Sequence, residues 1–395
     1  MSKQILYIFG GEKAQGAEIV IERLFSSNRA YKPHLIISPG KFASHLIELG
    51  NTYPIKTIAA LKKLNRSSDN SLIYLFKAVR NYLAVSFLVL KYITRNNIKV
   101  IHANTIVPAS YLIPAVIFSH LFKKKIIWIW SDHDMRYFSR IDAIFSKICF
   151  KIYDRTIVVS NAVLCKYKIS PKVNLLYNGL DLNIFKPNLT AGLNFKNTFN
   201  IPGHHLVLGI AASIHPDKGQ LELLELFVEL TASHPHLTLL LAGNYSTDTM
   251  DYTLQVKKYI SENDHVIHVG YIEKMQDFYN ACDIIINNSN DQRSESLGTT
   301  IYEAMACEKI VVASSTGGTP EIISDNADGI LFEPGNKMQL LDLLKYSITH
   351  FSQLQLMRSL ARQKVADYFS IDNMIANYNF IIENVTETNM KQNNA

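Results

Sequence analysis

The sequence predicts an α/β protein built from two doubly wound parallel sheets with helices on both faces of each. One observation is length, because 395 residues are too many for a single ordinary core. A second is that short runs rich in valine, isoleucine and leucine alternate with helix-length segments. These runs are apolar throughout, which is typical of strands buried on both faces of a parallel sheet. The alternation is completed once and then starts again, so we expect two units of about 150 to 200 residues each.

The predicted strands form two series, separated by a polar segment that contains Pro187, Gly192 and Pro202. The first series covers residues 4–9, 33–38, 55–58, 98–102, 125–130, 155–159 and 173–176. The second covers residues 205–214, 237–242, 266–269, 283–288, 309–313 and 329–332. The expected division is a first domain over 1–185, a linker over 186–202, a second domain over 203–370, a helix over 371–385 returning to the first domain, and a polar tail over 386–395. Because such sheets bind ligands at the carboxyl ends of their strands, we expect a cleft between the two domains.

The charge is divided unevenly along the chain. Residues 1–190 carry 27 Lys/Arg against 10 Asp/Glu, a net charge of +17, whereas residues 191–395 carry 13 against 24, a net charge of −11. A basic half can attract nucleic acid, an anionic ligand or an anionic membrane. Since no aromatic-basic motif or recognition helix accompanies the charge, we expect no nucleic acid and favour an anionic membrane surface.

The apolar segments do not predict export or a membrane span. The strand-like run at 5–9 is too short for a secretory signal, and the four cysteines form no metal-binding spacing. Residues 106–122 lack charge but contain Pro108 and Pro114, which favours a buried helix. Residues 72–95 predict an aromatic, basic helix that fits either a bilayer surface or a core helix with a solvated basic face. We therefore expect a cytoplasmic protein, peripheral on the cytoplasmic face of the membrane.

Two glutamates, Glu295 and Glu303, lie eight residues apart in the segment RSESLGTTIYEAM at 293–305, between two predicted strands. The segment contains a glycine turn that leads into a helix, and TGGTPE and GILF follow it at 316–321 and 329–332. Together these features resemble the Glu-x7-Glu signature of retaining GT-B glycosyltransferases of the group 1 and family 4 type. The resemblance implies the GT-B fold of two Rossmann-like domains, and transfer of a sugar from a nucleotide sugar with retention of anomeric configuration.

The same resemblance implies that Glu295 contacts hydroxyls of the transferred sugar and that Glu303 binds the nucleotide ribose. Glu303 has a second interpretation, because Thr300-x-x-Glu303 is also a capping-box pattern. Between Glu295 and Glu303, the backbone N–H groups of three residues are expected to bind the donor diphosphate at a helix amino terminus. These residues are Leu297, Gly298 and Thr299.

The segment GIAASIHPDKG at 209–219 resembles the family's Gly-Arg-x-x-Pro-x-Lys-Gly loop, with Lys218 at the lysine position. The arginine is missing, and Ser213, or Ala212 if the loop length differs, takes its place. Losing a bidentate cation beside the leaving diphosphate is expected to lower transition-state stabilisation, unless His215 or Arg293 compensates. By the same likeness, Tyr271 in Val-Gly-Tyr is expected to frame the base.

The first half contributes two candidates. Residues 10–18 are glycine-rich without GxGxxG, and no acid ends the second strand, so NAD is not expected. Likeness to the family's Gly-Gly-Ala-Glu turn implies that Gly16 lies under the transferred sugar; a plain helix-entry turn is the alternative. Asp132-His133-Asp134 invites a metal interpretation, but metal-binding Asp-x-Asp belongs to the other large glycosyltransferase fold. Likeness to the family's strand-end histidine implies instead that His133 hydrogen-bonds the donor sugar or steadies the reacting centre.

These features predict a hexosyltransferase acting on a glycan or glycolipid acceptor in cell-surface polysaccharide biosynthesis, such as lipopolysaccharide. The expected catalytic residues are Glu295, His133 and Lys218. No metal or other cofactor is expected, because Lys218 and helix termini take the role of a cation. Two alternatives stay open. One is another GT-B activity, such as a nucleotide-sugar epimerase. The other is a non-catalytic sugar-nucleotide-binding or scaffolding subunit, which the missing arginine favours.

Overall fold

The computed structural model of this chain describes residues 3–11, 16–48, 53–62, 71–137, 139–167, 170–290 and 295–392, without the side chains of 71–75 and 386–392. It divides into two compact units, one formed by residues 1–179 and 371–395 and the other by residues 180–370. Each unit has its own parallel sheet with helices around it. The predicted fold class is thus confirmed.

The first unit contains a seven-stranded sheet in the order β3-β2-β1-β4-β5-β6-β7. Its strands are β1 (Lys3–Phe9), β2 (Tyr31–Ile37), β3 (Ile55–Thr57), β4 (Val100–Asn104), β5 (Ile127–Asp132), β6 (Arg155–Val158) and β7 (Val173–Leu175). Every neighbouring pair is parallel. Successive residues of β1 enter two different cores, Ile5 and Tyr7 on one face and Leu6 and Ile8 on the other. Burial on both faces explains why the strands are apolar throughout.

Helices cover both faces of this sheet. They are α1 (Gly16–Ser27), α2 (Lys41–Glu48), α3 (Ser71–Arg95), α4 (Ile106–Tyr111), α5 (Ile113–Leu121), α6 (Arg140–Ile152) and α7 (Asn161–Leu164). The single helix expected over 106–122 is wrong, because Leu112 separates α4 from α5. Pro114 lies at the start of α5, where a missing N–H costs nothing, but it cannot continue a helix from α4. The hydroxyl of Ser86 bridges the break, donating to the Tyr111 carbonyl (2.9 Å) and accepting from the Ala115 N–H (3.1 Å).

The second unit contains a six-stranded parallel sheet in the order β10-β9-β8-β11-β12-β13. Its strands are β8 (Leu206–Ala211), β9 (Leu237–Ala242), β10 (Val266–Gly270), β11 (Ile284–Asn287), β12 (Ile310–Ser314) and β13 (Ile330–Phe332). Its helices are α8 (Leu189–Thr198), α9 (Gln220–Ser233), α10 (Met250–Glu262), α11 (Met275–Ala281), α12 (Thr299–Ala306), α13 (Thr319–Ile322), α14 (Lys337–Thr349) and α15 (Gln355–Tyr368). The second series of predicted strands corresponds to these six strands.

Two predicted boundaries differ from the structure. The segment 186–202, expected to be a linker, contains α8 and lies within the second unit, where Asn188 caps the helix through the N–H of Ala191 (3.0 Å). The last helix, α16 (Ile371–Gln392), belongs to the first unit and extends into the stretch expected to be a tail. It buries Met374, Tyr378 and other apolar residues in the core that contains β1. None of the helices in the described part of the chain combines the length and hydrophobicity that crossing a membrane requires.

Candidate active site

The sheet of the second unit reverses its winding direction between β8 and β11, which are neighbours in space. Crevices of doubly wound sheets form at such a point, at the carboxyl ends of the strands. Hydrogen bonds join the two loops that leave these strands: Asn288 donates to the Gly219 carbonyl (2.8 Å), and the N–H of Asn290 donates to the Asp217 carbonyl (3.0 Å). Gly219 has φ 63°, and a Cβ there would lie 2.6 Å from the Asn288 carbonyl oxygen. Only glycine fits this crossing, which fixes the neighbouring Lys218.

The structure brings two of the predicted catalytic residues together at this crossing. The Lys218 ammonium donates to Oε1 of Glu295 and also lies 3.3 Å from the Ser289 hydroxyl. Ser289, which is buried at the end of β11, donates to the same Glu295 oxygen (2.8 Å). The two charged side chains are 25% and 20% exposed, so the pair is accessible from solvent. A ligand anion would therefore meet a lysine that is already paired with a carboxylate.

The loop after Glu295 leads into the amino terminus of α12. The carbonyl of Glu295 accepts from the N–H of Gly318 (2.8 Å), and a Cβ at Gly318 would lie 2.5 Å from the Ser296 carbonyl oxygen. The glycine pair after β12 thus lets two backbones approach and holds the loop. Gly298 precedes α12, and among the described residues no side chain caps this helix. The helix end is accordingly free to attract an anion near Leu297, Gly298 and Thr299.

Glu303 lies one turn into α12 and is buried. Its Oε2 accepts a hydrogen bond from the hydroxyl of Tyr279 on α11 (3.0 Å). Burial and then the Glu303 charge raise the pKa of Tyr279 well above its usual value, so the phenol stays a donor. The capping-box interpretation of Glu303 is wrong, because α12 begins at Thr299 and Thr300 lies inside its first turn rather than at the cap.

Two further predicted donor contacts lie at carboxyl ends of strands in the same sheet. Ser213 is exposed in the loop after β8, where its carbonyl accepts from the side chain of Gln220 (2.9 Å). Tyr271 follows β10 and is 70% exposed. His215, one of the two possible substitutes for the missing arginine, accepts from the Asp217 N–H (3.2 Å) and so caps a short turn. The other, Arg293, lies outside the described residues.

In the first unit the candidates lie at the corresponding reversal, between β1 and β4. The side chain of Asn104, at the end of β4, donates to the Ala17 carbonyl at the start of α1 (3.1 Å) and accepts from Nε2 of His133 (2.8 Å). The structure thereby brings Gly16 and His133 into one neighbourhood. A Cβ at Gly16 would meet no atom of the described residues within 4 Å, so packing among them does not require glycine there.

His133 is held as a neutral ring. Because an amide oxygen only accepts, Nε2 carries the hydrogen and Nδ1 is left as an acceptor. Burial lowers the pKa of His133 to about 4, against a smaller opposing effect of Asp132. At neutral pH this side chain can accept a hydrogen bond from a sugar hydroxyl but is not a proton donor of imidazolium type.

The aspartates on either side of His133 differ in their surroundings. The buried Asp132 pairs with the ammonium of Lys166 at 2.5 Å and accepts from the hydroxyl of Tyr167. Burial, and then the charge of Asp132, raise the pKa of Asp134 to about 6. A carboxylate already bound to a lysine and a second one whose pKa is raised make a poor pair of metal ligands.

Sequence reasoning missed Ser289 and Asn104, although both stand at the carboxyl ends of predicted strands next to the reversal points. That position was a usable signal. Their partners were not predictable, because each bond joins residues from separate elements.

Two family models match the chain in turn. The model described as Glycosyl transferases group 1 matches residues 194–363, and the one described as Glycosyltransferase Family 4 matches residues 57–184. Among solved structures, HepE of Anabaena in complex with UDP-glucose aligns with a TM-score of 0.76, covering 98% of this chain and 98% of its own, at 20% identity. At that identity the likeness shows the fold.

Alignments with curated relatives cover less of this chain than the alignment with HepE does. The lipopolysaccharide 1,2-N-acetylglucosaminetransferase of Salmonella typhimurium is 26% identical over 210 residues, 51% of this chain and 54% of that protein. The N-acetyl-alpha-D-glucosaminyl L-malate synthase of Bacillus anthracis is 23% identical over 308 residues, 74% of this chain and 76% of that protein. The chain spans about half the length of the first curated relatives that it matches. Taken with the two parallel sheets, these matches show that the chain has the GT-B fold and resembles the glycosyltransferases of group 1.

Proposed function

We propose that the protein is a retaining glycosyltransferase that moves a hexose from a nucleotide sugar to a glycan or glycolipid acceptor in cell-surface polysaccharide biosynthesis. The observation that carries the proposal is the meeting of Lys218 and Glu295 at the reversal point of the second sheet, beside the uncapped end of α12. A cation and a helix amino terminus suit a diphosphate, and a carboxylate suits sugar hydroxyls. The lipopolysaccharide transferase among the relatives supports the acceptor class.

The donor is assigned to the second unit. Lys218 and the N–H groups of Leu297, Gly298 and Thr299 bind the diphosphate, Glu303 binds the ribose, and Tyr271 stacks on the base. UDP is the first nucleotide to test, because HepE was solved with UDP-glucose. Ser213 leaves the second phosphate without the arginine that the family's loop supplies there.

The reaction breaks the bond between the sugar C1 and the diphosphate oxygen and forms one from C1 to the acceptor oxygen. The leaving diphosphate gains negative charge, which Lys218 and the end of α12 stabilise without a metal ion or another cofactor. The acceptor attacks on the face from which the diphosphate leaves, and its hydroxyl proton passes to the departing phosphate. Glu295 and the Nδ1 of His133 accept hydrogen bonds from sugar hydroxyls, while Gly16 leaves room for the sugar.

The test is a panel of UDP-, GDP-, ADP- and dTDP-sugars, assayed by thermal shift and by slow release of nucleoside diphosphate, without divalent metal and then with chelator. We expect one donor to raise Tm and to be hydrolysed equally well in chelator, and Glu295→Gln to abolish release. Loss of release in chelator would contradict metal independence. Binding of a nucleotide sugar with no release and no transfer would favour the non-catalytic subunit, and a new nucleotide sugar among the products would favour the epimerase.

An anionic membrane is the partner that we assign to α3. Phe76, Leu83 and Phe87 form an exposed apolar stripe on this helix, at 70%, 56% and 64% exposure. The exposed cations Lys77 and Arg80 lie beside it. Apolar side chains flanked by cations suit the boundary between acyl chains and anionic headgroups, where each cation contributes about 1 kcal/mol.

Flotation with anionic and neutral liposomes tests this assignment. We expect recovery with the anionic vesicles only, and its loss in a Phe76→Ser/Phe87→Ser variant, whereas a Leu254→Ser variant on the exposed face of α10 should float like wild type. Equal recovery from both vesicle types, or none from either, would contradict the assignment.

A further inference from the structure

Histidines precede three neighbouring strands of the second sheet. His204 and His205 stand before β8, His236 before β9 and His265 before β10. These strands are adjacent and parallel, in the order β10-β9-β8. Because the amino ends of parallel strands meet at one edge, the four rings converge there. The candidate donor site lies at the other edge, about 20 Å away along strands of six residues.

The first three rings are close enough to share one ion. Ligand nitrogens of His204, His205 and His236 all lie within 4.8 Å of one another. The ring of His204 is 4.7 Å from that of His205 and 4.9 Å from that of His236, centroid to centroid. Around a tetrahedral zinc ion, with Zn–N bonds of about 2.0 to 2.1 Å, nitrogens stand about 3.3 Å apart. Small rotations of the exposed rings of His204 and His236 would close that difference.

The surrounding contacts orient the half-buried ring of His205 for this role. Its Nδ1 lies 2.9 Å from the hydroxyl of the buried Thr238, which leaves Nε2 for a metal. Histidine ligands commonly donate their second N–H to such a partner. The ring of His265, itself anchored by its Nδ1 donating to the Leu237 carbonyl (2.9 Å), stacks on His205 at 5.6 Å and 11°.

We propose that His204, His205 and His236 bind one divalent transition-metal ion, with zinc the first to test, and that water completes the coordination. Three imidazoles suit Zn²⁺, Cu²⁺ or Ni²⁺, whereas Mg²⁺ and Ca²⁺ prefer oxygen ligands. The ion would link the loop before β8 to the loop before β9 and so stabilise the second unit. This site goes beyond the proposed function, because it lies away from the donor residues and takes no part in transfer.

Zinc binding to the full chain, freed of metal with chelator and then dialysed, tests the proposal. We expect isothermal titration to give one Zn²⁺ per chain with micromolar or tighter affinity, and Zn²⁺ to raise Tm where Mg²⁺ does not. The variants His204→Asn and His236→Asn replace exposed rings, so they should fold. Each should weaken zinc binding about 100-fold and lose the rise in Tm.

The matched control is His234→Asn, because His234 lies two residues from His236 but bonds to Ser233 (3.0 Å) outside the cluster. It should bind zinc like wild type. No stoichiometric binding by wild type, or equal binding by the His204→Asn and His236→Asn variants, would overturn the site. Because these measurements use no donor, their failure is separate from a failure of the transferase proposal. Cobalt substitution adds a spectroscopic check, since tetrahedral nitrogen ligation gives strong visible absorption that the variants should lack.

Discussion

Replacing Glu295 by glutamine tests how a donor diphosphate reaches Lys218. In the structure the lysine is paired with Glu295, so a diphosphate that approaches the ammonium competes with this carboxylate. Glutamine keeps the shape and can still accept from the Ser289 hydroxyl, now 2.8 Å from Oε1, but it removes the competing charge. We therefore expect Glu295→Gln to bind UDP more tightly than wild type while losing sugar transfer.

The magnitude follows from the exposure of the pair. With side chains 25% and 20% exposed, the pair contributes about 1 kcal/mol, the upper end for solvent-accessible ion pairs. Removing that competition should tighten UDP binding about fivefold. Lys218→Met removes a charged hydrogen bond to phosphate, which contributes about 2 kcal/mol, and should weaken binding about 30-fold. The double variant should bind better than Lys218→Met alone, because Glu295 no longer repels the diphosphate.

Isothermal titration with UDP on wild type, both single variants and the double variant measures these four affinities. The control is Glu229→Gln, which breaks the exposed 2.8 Å ion pair between Glu229 and Lys345 in the same unit. Its affinity for UDP should equal that of wild type. If Glu295→Gln weakened UDP binding as much as Lys218→Met does, the carboxylate would be part of the nucleotide site, and the displacement argument would be refuted.

Three further outcomes are expected. Gly318→Ala should lower the unfolding free energy by about 1 to 3 kcal/mol and weaken UDP binding, because the added Cβ would lie 2.5 Å from the Ser296 carbonyl oxygen. Gly203→Ala is the control: its added Cβ would meet open space, so thermal unfolding should be unchanged. The pKa of His133, lowered to about 4, means that the unfolded chain binds the extra proton as pH falls below about 6.5. Between pH 6.5 and 4 the unfolding free energy of wild type should therefore fall by up to roughly 1.4 kcal/mol per pH unit more than that of His133→Asn. If wild type and His133→Asn differed in unfolding free energy by the same amount at pH 7 and at pH 5.5, this prediction would be contradicted. Tyr271→Ala should leave Tm unchanged, because the side chain is 70% exposed, yet weaken UDP binding about tenfold in titration if the ring stacks on the base.

The sequence predicted the sheets well because buried parallel strands are apolar throughout and therefore stand out from their surroundings. Breaks in helices were harder to predict. The run 106–122 lacks charged residues throughout, and although Pro114 stands at the break, only the structure shows that Ser86 of α3 satisfies the backbone where α4 and α5 separate. The helix at 189–198 was hidden for the opposite reason, since a polar, glycine-containing segment also fits a linker.

The same contrast applies to the candidate site. Motif and strand order together predicted the edge of the sheet on which Lys218, Glu295 and Glu303 lie. The contacts made there by Ser289 and Tyr279 join residues of different elements, and no spacing along one sequence encodes such bonds.

The ion pair between Lys218 and Glu295 also bears on specificity. Until a diphosphate competes for it, the Lys218 ammonium occupies Oε1 of Glu295, the carboxylate that we propose positions the sugar. If Glu295 holds the transferred sugar as proposed, binding of the nucleotide portion would release this carboxylate, so that energy from the non-reacting part of the donor is used to assemble the reacting centre. A sugar phosphate that lacks the nucleotide must break the same pair with fewer compensating contacts. We therefore expect it to bind far more weakly than the corresponding nucleotide sugar, and expect Glu295→Gln to narrow that difference.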